Sequence, residues 1–245
     1  MKQTKFIHEI RAVKTKKELS NIIRAQRISE QVLRDVLKIL KTGISEIEVA
    51  NFIKKTYISH GVNVLSFPPI VAFGKNTANI HHTPGKSKLK KGDLIMFDFG
   101  CTINHYCSDM TRSYFWGQPT QRQKKIYESV FRAMNLAMNK IKKGERRAKM
   151  IDKAARDFLN KKYGKKNFQH GLGHGVGTVI HEWPNFKPKS EDILPAGCVM
   201  TIEPGLYFQG FGGVRIEDMI LITKNGCTNL TNFPKDLKSA ILGTI

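Results

Sequence analysis

Two segments of this chain share a pattern that few folds can accommodate. GDLIMFD (92–98) and GCVMTIE (197–203) each run from a glycine through five mostly apolar residues to an acid, and each acid begins a further strand, turn and strand. Asp98 is followed by Asp109 in DFGCTINHYCSD, and Glu203 by Glu217 beyond FQGFGG. If Asp98 and Asp109 face each other across an antiparallel hairpin, the turn centres between Ile103 and Asn104, where TINH supplies suitable residues. The same exercise for Glu203 and Glu217 centres a turn on Gly210. A slip of one residue at a bulge would leave either pairing approximate.

Directly opposed side chains on a hairpin have β-carbons about 5 Å apart, and like charges there destabilise the sheet. A shared proton or a divalent cation can offset the repulsion. Four acids on two hairpins suffice for two cations, an arrangement able to activate water. Imidazole ligands would favour Mn, Fe, Co or Zn over Mg or Ca, and HGLGHGVGTVIHEWP (170–184) supplies them. His174 lies among Gly171, Gly173, Gly175 and Gly177, too glycine-rich for a helix interior but suited to close backbone packing. His181 follows at the start of the strand-like IHEWP. Alone, either histidine reads as a structural residue; beside four acids, each reads as part of a site.

The rest of the chain frames these hairpins. Apolar residues from Thr15 to about Lys41 recur at helical spacing, Gly43 marks a stop, and Ser45 with Glu48 forms a capping-box signature for a second helix ending near His60 and Gly61. Strands are expected in IVAF, LIMFDF and YCSDMTRSYF, helices over 120–141 and 147–162, and strands again over 199–202 and 214–223. Helices and strands in blocks indicate an α+β fold. Without a Pro/Gly/Ser-rich linker, residues 1–245 are expected to form a single domain.

Neither a membrane-spanning run nor a secretory signal is apparent, so the cytoplasm is the expected location. The four cysteines form no CxxC, which argues against a zinc knuckle, and they are expected to be reduced and buried. The formal charge of +21 could attract nucleic acid, ribosomes or other polyanions. Its basic runs, KSKLKK, KKGERRAK and KKYGKK, are short and poor in interleaved aromatics, which favours solvated lysine over such a contact.

Four blocks, DFG with YCSDMTR, HGLGHGVG with IHE, TIEPG, and GGVRIED, together resemble the pita-bread metallopeptidases: methionine aminopeptidases, proline-specific aminopeptidases and prolidases. The resemblance covers nearly the whole chain and implies a pseudo-two-fold antiparallel sheet flanked by helices. It implies Asp98, Asp109, His174, Glu203 and Glu217 as ligands of two divalent cations (Mn, Co, Fe or Zn), with Asp109 and Glu217 bridging. It further implies a metal-bridging water as nucleophile and Glu203 as proton carrier. His81 and His181 would bind the peptide and stabilise the transition state, with His82 as the alternative to His81.

Arg215 resembles the proline-specific branch and fits equally a substrate contact or an ion pair steadying a carboxylate. The implied activity is Xaa-Pro exopeptidase action on short peptides. The alternatives are removal of initiator methionine and a non-catalytic binding protein of the same shape. Most proline-specific relatives carry a further N-terminal domain, which is not expected within this chain; a homodimer is compatible with the resemblance, and a membrane partner is not expected.

Overall fold

The structure is a computed structural model that describes residues 2–243. Its helices are α1 (Lys2–Ala12), α2 (Lys16–Ile39), α3 (Glu46–Ser59), α4 (Gln121–Lys142) and α5 (Ala148–Tyr163). Capping boxes open three of them: Thr15 with Glu18 at α2, Ser45 with Glu48 at α3, and Thr120 with Gln123 at α4. Each satisfies two of the backbone groups that a helix end leaves unpaired. Along α2, Ile22, Ala25, Ser29, Val32, Leu33 and Val36 recur every three or four residues and are buried, so tertiary packing of this stripe fixes the helix.

Two sheets carry the site. The first comprises β1 (Ile70–Phe73), β2 (Leu94–Phe99), β5 (Met110–Trp116) and β13 (Ile241–Leu242), in that order. Between β2 and β5 the chain makes a small hairpin, β3 (Thr102–Ile103) and β4 (Tyr106–Cys107). The second sheet orders β12 (Gly226–Asn229), β11 (Asp218–Thr223), β8 (Val199–Ile202), β6 (Gly173–Gly175) and β7 (Glu182–Phe186). Here too the connection between the antiparallel partners β8 and β11 carries a small hairpin, β9 (Gly205–Phe208) and β10 (Gly212–Arg215). The internal echo in the sequence is therefore a repeated structural unit. Helix α3 packs on β1, α2 on β3 and β4, and the α4–α5 pair lies against the second half of the chain, with α4 touching β8, β9, β10 and β12.

The second hairpin has the register that its acids require. Phe208 pairs with Gly212 and Ile202 with Asp218, so Glu203 and Glu217 stand at one cross-strand level between two ladders of continuous register. The first hairpin differs from expectation. Asp98 pairs with Thr111, not Asp109, and the turn residues are Asn104 and His105, both at positive φ (47° and 72°). These two residues take the left-handed conformations of a tight hairpin turn, which moves the turn centre by one residue and the partner by two. A shift of two keeps side-chain parity, so both acids stay on the same face.

All four cysteines are free; Cys101, Cys107 and Cys198 are buried, whereas Cys227 is half-buried. Among the described residues, no helix is long and apolar enough to cross a membrane.

Candidate metal centre

Strand β2 is buried along its whole length, with Phe97 and Phe99 fully enclosed beside Asp98 at 8% exposure. A carboxylate among such neighbours is costly unless it is paired. Arg215 provides the pair from the other half of the molecule: its Nη2 donates to Asp98 Oδ2 at 2.6 Å, its Nη1 to Tyr207 Oη at 2.9 Å, and its Nε to Thr111 Oγ1 at 3.0 Å. Thr111 in turn donates to Glu217 Oε2 at 2.8 Å. The other oxygen of Asp98, Oδ1, is buried without a partner.

His174 is held with little freedom. Its backbone N–H donates to Thr201 Oγ1, and its ring Nδ1 lies 3.1 Å from the Gly175 carbonyl. A proton on Nδ1 leaves Nε2 with its lone pair toward the acids, 3.6 Å from Asp109 Oδ2 and 3.4 Å from Glu203 Oε1. The glycines beside it admit no side chain: a β-carbon on Gly173 would stand 2.2 Å from the Thr201 carbonyl, and one on Gly175 2.7 Å from that of Trp183.

Asp98, Asp109, His174, Glu203, Glu217, Arg215, His81 and His181 all line one cleft of about 680 Å³. Phe67, Pro68, Pro69, Ile70 and Ile80 form its apolar wall. The His181 ring packs edge-on against His174 with centroids 4.2 Å apart. His81 is exposed at the cleft. His82 also borders it, but its Nε2 is 2.8 Å from the fully buried Glu46, whose other oxygen accepts from Phe73 N–H and Asn76.

Burial and mutual repulsion shape the electrostatics. Burial first, then the charges of Glu217 and Asp98, raise Asp109 well above the usual carboxylate range. Glu217 is raised by burial and by Glu203 and Asp98. Glu203 is pushed up to about 7, chiefly by burial, with Arg215 working in the opposite direction. His174 falls to about 3 through burial and the neighbouring His181. Burial opposes the charge on Arg215, yet Tyr207 and the surrounding acids hold it firmly protonated.

The donor set suits a divalent cation. Atoms of Asp109, His174 and Glu217 lie within 4.8 Å of one another, all three buried. Glu203 adds an oxygen beside His174, and Asp98 contributes the unpartnered Oδ1. A neutral imidazole and several carboxylates that resist sharing one space as anions are the ligands a transition metal takes.

Two residues with no assigned role in the sequence reading also reach the site. His170 accepts or donates at Tyr207 Oη (2.8 Å) and lies 3.9 Å from Glu203, while Tyr207 braces Arg215. Both His170 and His174 line the cleft, and two histidines four apart in the glycine-rich HGLGHGVG were the available signal.

Residues 20–224 match the model of metallopeptidase family M24. An uncharacterized peptidase of Staphylococcus aureus (strain USA300) is 40% identical over 229 residues, covering 94% of this chain and 65% of that protein. Among solved structures, the X-Pro aminopeptidase from Thermotoga maritima MSB8 superposes with a TM-score of 0.91 at 33% identity, covering 97% of this chain and 66% of the other. The prolidase from Pyrococcus furiosus gives 0.90 at 37% identity, covering 94% and 68%. The chain thus spans about two thirds of the length of these relatives, 65% for the staphylococcal peptidase.

Proposed function

The chain belongs to metallopeptidase family M24, and from that premise we propose that it is an exopeptidase hydrolysing the first peptide bond of short peptides, preferentially Xaa-Pro. The observation that carries the preference is Arg215, anchored on Asp98 two residues before Glu217, in a chain that resembles proteins named for X-Pro and prolidase activity at 33% and 37% identity. The apolar wall from Phe67 to Ile70, with Ile80, offers a surface on which a proline ring can pack.

Asp109, His174, Glu203 and Glu217 would hold one cation, and Asp98, Asp109 and Glu217 a second, of Mn, Co, Fe or Zn. When bound, such a pair would supply Lewis acidity and the activation of water that makes a nucleophile near neutral pH. Glu203, in the cleft beside His174, takes a proton and returns it to the departing amine. His181 and His81, on the cleft wall, donate to the peptide oxygen as it gains negative charge, a role typically worth a few kcal/mol per donor. Arg215 holds Asp98 in position and keeps its charge compensated.

Metal analysis together with a panel of Xaa-Pro and Met-Ala peptides tests this reading. Preferred cleavage of Xaa-Pro is expected. Preference for Met-Ala would replace it with initiator-methionine removal, and a metal-loaded protein inert to every peptide would point to a binding role.

A further inference from the structure

Between residues 121 and 166 the chain holds sixteen Lys and Arg against four Asp and Glu, so fewer than a fifth of its residues carry +12 of its +21. Three of those four acids are already engaged: Glu145 by Arg147, Asp152 by Arg156 and Asp157 by Lys153. Among the described residues no ion pair engages Arg122, Lys125, Arg132, Lys161, Lys162 or Lys166, and all six are exposed.

Folding gathers aromatics among these charges that the linear runs lack. Helices α4 and α5 pack so that the start of one meets the end of the other: Tyr163 Oη donates to the Lys125 carbonyl at 3.0 Å, and Lys162 Nζ to Ser129 Oγ at 2.9 Å. The β9–β10 hairpin adds two rings. Arg122 lies 3.9 Å from the Phe211 centroid and 5.5 Å from that of Phe208, Phe208 meets Tyr163 edge-on at 5.8 Å, and Lys162 sits 5.2 Å from the Tyr163 ring. Arg132, over Phe158 at 5.0 Å, extends the series along the helices. Phe208 and Tyr207 are consecutive on β9 and point to opposite faces, so this strip lies behind the strand whose other face braces Arg215.

We propose that this strip binds single-stranded nucleic acid, with bases stacking on the ring and guanidinium planes and phosphates meeting the unpaired lysines. Planar groups interleaved with cations are what a single strand uses and a duplex, whose bases are already stacked, does not. The proposal is independent of the peptidase reading.

The test is fluorescence anisotropy of the full, manganese-loaded chain with a labelled oligouridylate of about twelve nucleotides, within the range one such site spans. Micromolar binding at low salt is expected, with a log–log salt slope near −3 for about four neutralised phosphates. The double variant Arg132→Glu with Lys162→Glu is expected to bind at least about tenfold more weakly while keeping its melting temperature and peptidase rate. Phe211→Leu, which preserves packing, is expected to lose about fivefold through stacking. Absence of binding at low salt, unchanged affinity in the double variant, or equal affinity for a duplex or for inorganic polyphosphate would each overturn the proposal. The last result would assign the strip to unspecific anion exchange, and an oligothymidylate arm separates RNA from DNA.

Discussion

Asp98 in the first sheet is clamped by Arg215 at 2.6 Å, whereas Glu203, at the corresponding strand end of the second, meets a threonine hydroxyl at 3.4 Å and imidazoles at 3.4 and 3.9 Å. The repeated units therefore handle the same electrostatic cost differently. In the first, a permanent cation borrowed from the second unit compensates the carboxylate. In the second, no lysine or arginine among the described residues forms an ion pair with the acid, and Glu203 is pushed up to about 7, chiefly by burial. Among the described residues, Asp98 alone of the four acids forms an ion pair with an arginine, and Glu203 is left to hydroxyl and imidazole neighbours.

The two units converge at Asp109 and Glu217, which meet His174 in one cluster. Asp109→Asn and Glu217→Gln, one from each unit, are each expected to abolish peptide hydrolysis and metal retention together, read by metal analysis beside a peptide assay. Retained metal in one variant alone would show that the units are not jointly required. Next, His181→Ala should lower kcat by about 10²–10³ with metal content unchanged, the cost of one donor to a developing oxyanion.

Arg215→Met removes the borrowed cation and leaves Asp98 buried and uncompensated. It should cost the metal-free protein about 3–5 kcal/mol in denaturant unfolding, with a smaller loss when metal is present to replace the charge. Because Glu203 titrates near 7 in the folded chain against an ordinary 4.5, its contribution to metal-free stability is complete below about 4.5 and lost as pH rises through about 7. The melting temperature of chelated protein should fall across that interval, and the fall should shrink in Glu203→Gln. The smallest effects belong to the hairpin tips. Gly210→Ala places a β-carbon at φ 78°, and Asn104→Ala replaces a residue that tolerates φ 47° and donates to Asn21 Oδ1, each costing about 1–2 kcal/mol and leaving peptide specificity unchanged.

Much of this arrangement was legible because β-strands have a short period. The glycines of FQGFGG mark the second tip, and once Gly210 is its centre, Glu203 must oppose Glu217. The first tip was misplaced by one residue because His105 at positive φ is not a choice that turn chemistry suggests. Helix α1 is less legible for a different reason: among its described side chains, Ile7 and Ile10 are 55% and 59% exposed, so they set no readable buried period. The link from Arg215 to Asp98 joins positions 117 residues apart. No local pattern encodes such a contact; it follows only from how the sheets pack. The aromatic partners of Arg122 were hidden likewise, since they arrive from β9–β10.

Strand β6 passes so close to its neighbours that Gly173 and Gly175 leave His174 as the sole side chain on the segment. Such a segment has almost no mutational path open to it. A combinatorial library randomising positions 173–175 and selected for activity should return the parental triplet, while neighbouring loops drift. Changes in substrate preference within this lineage would then have to arise at the cleft's apolar rim, because its histidine cannot be moved without unseating two strands.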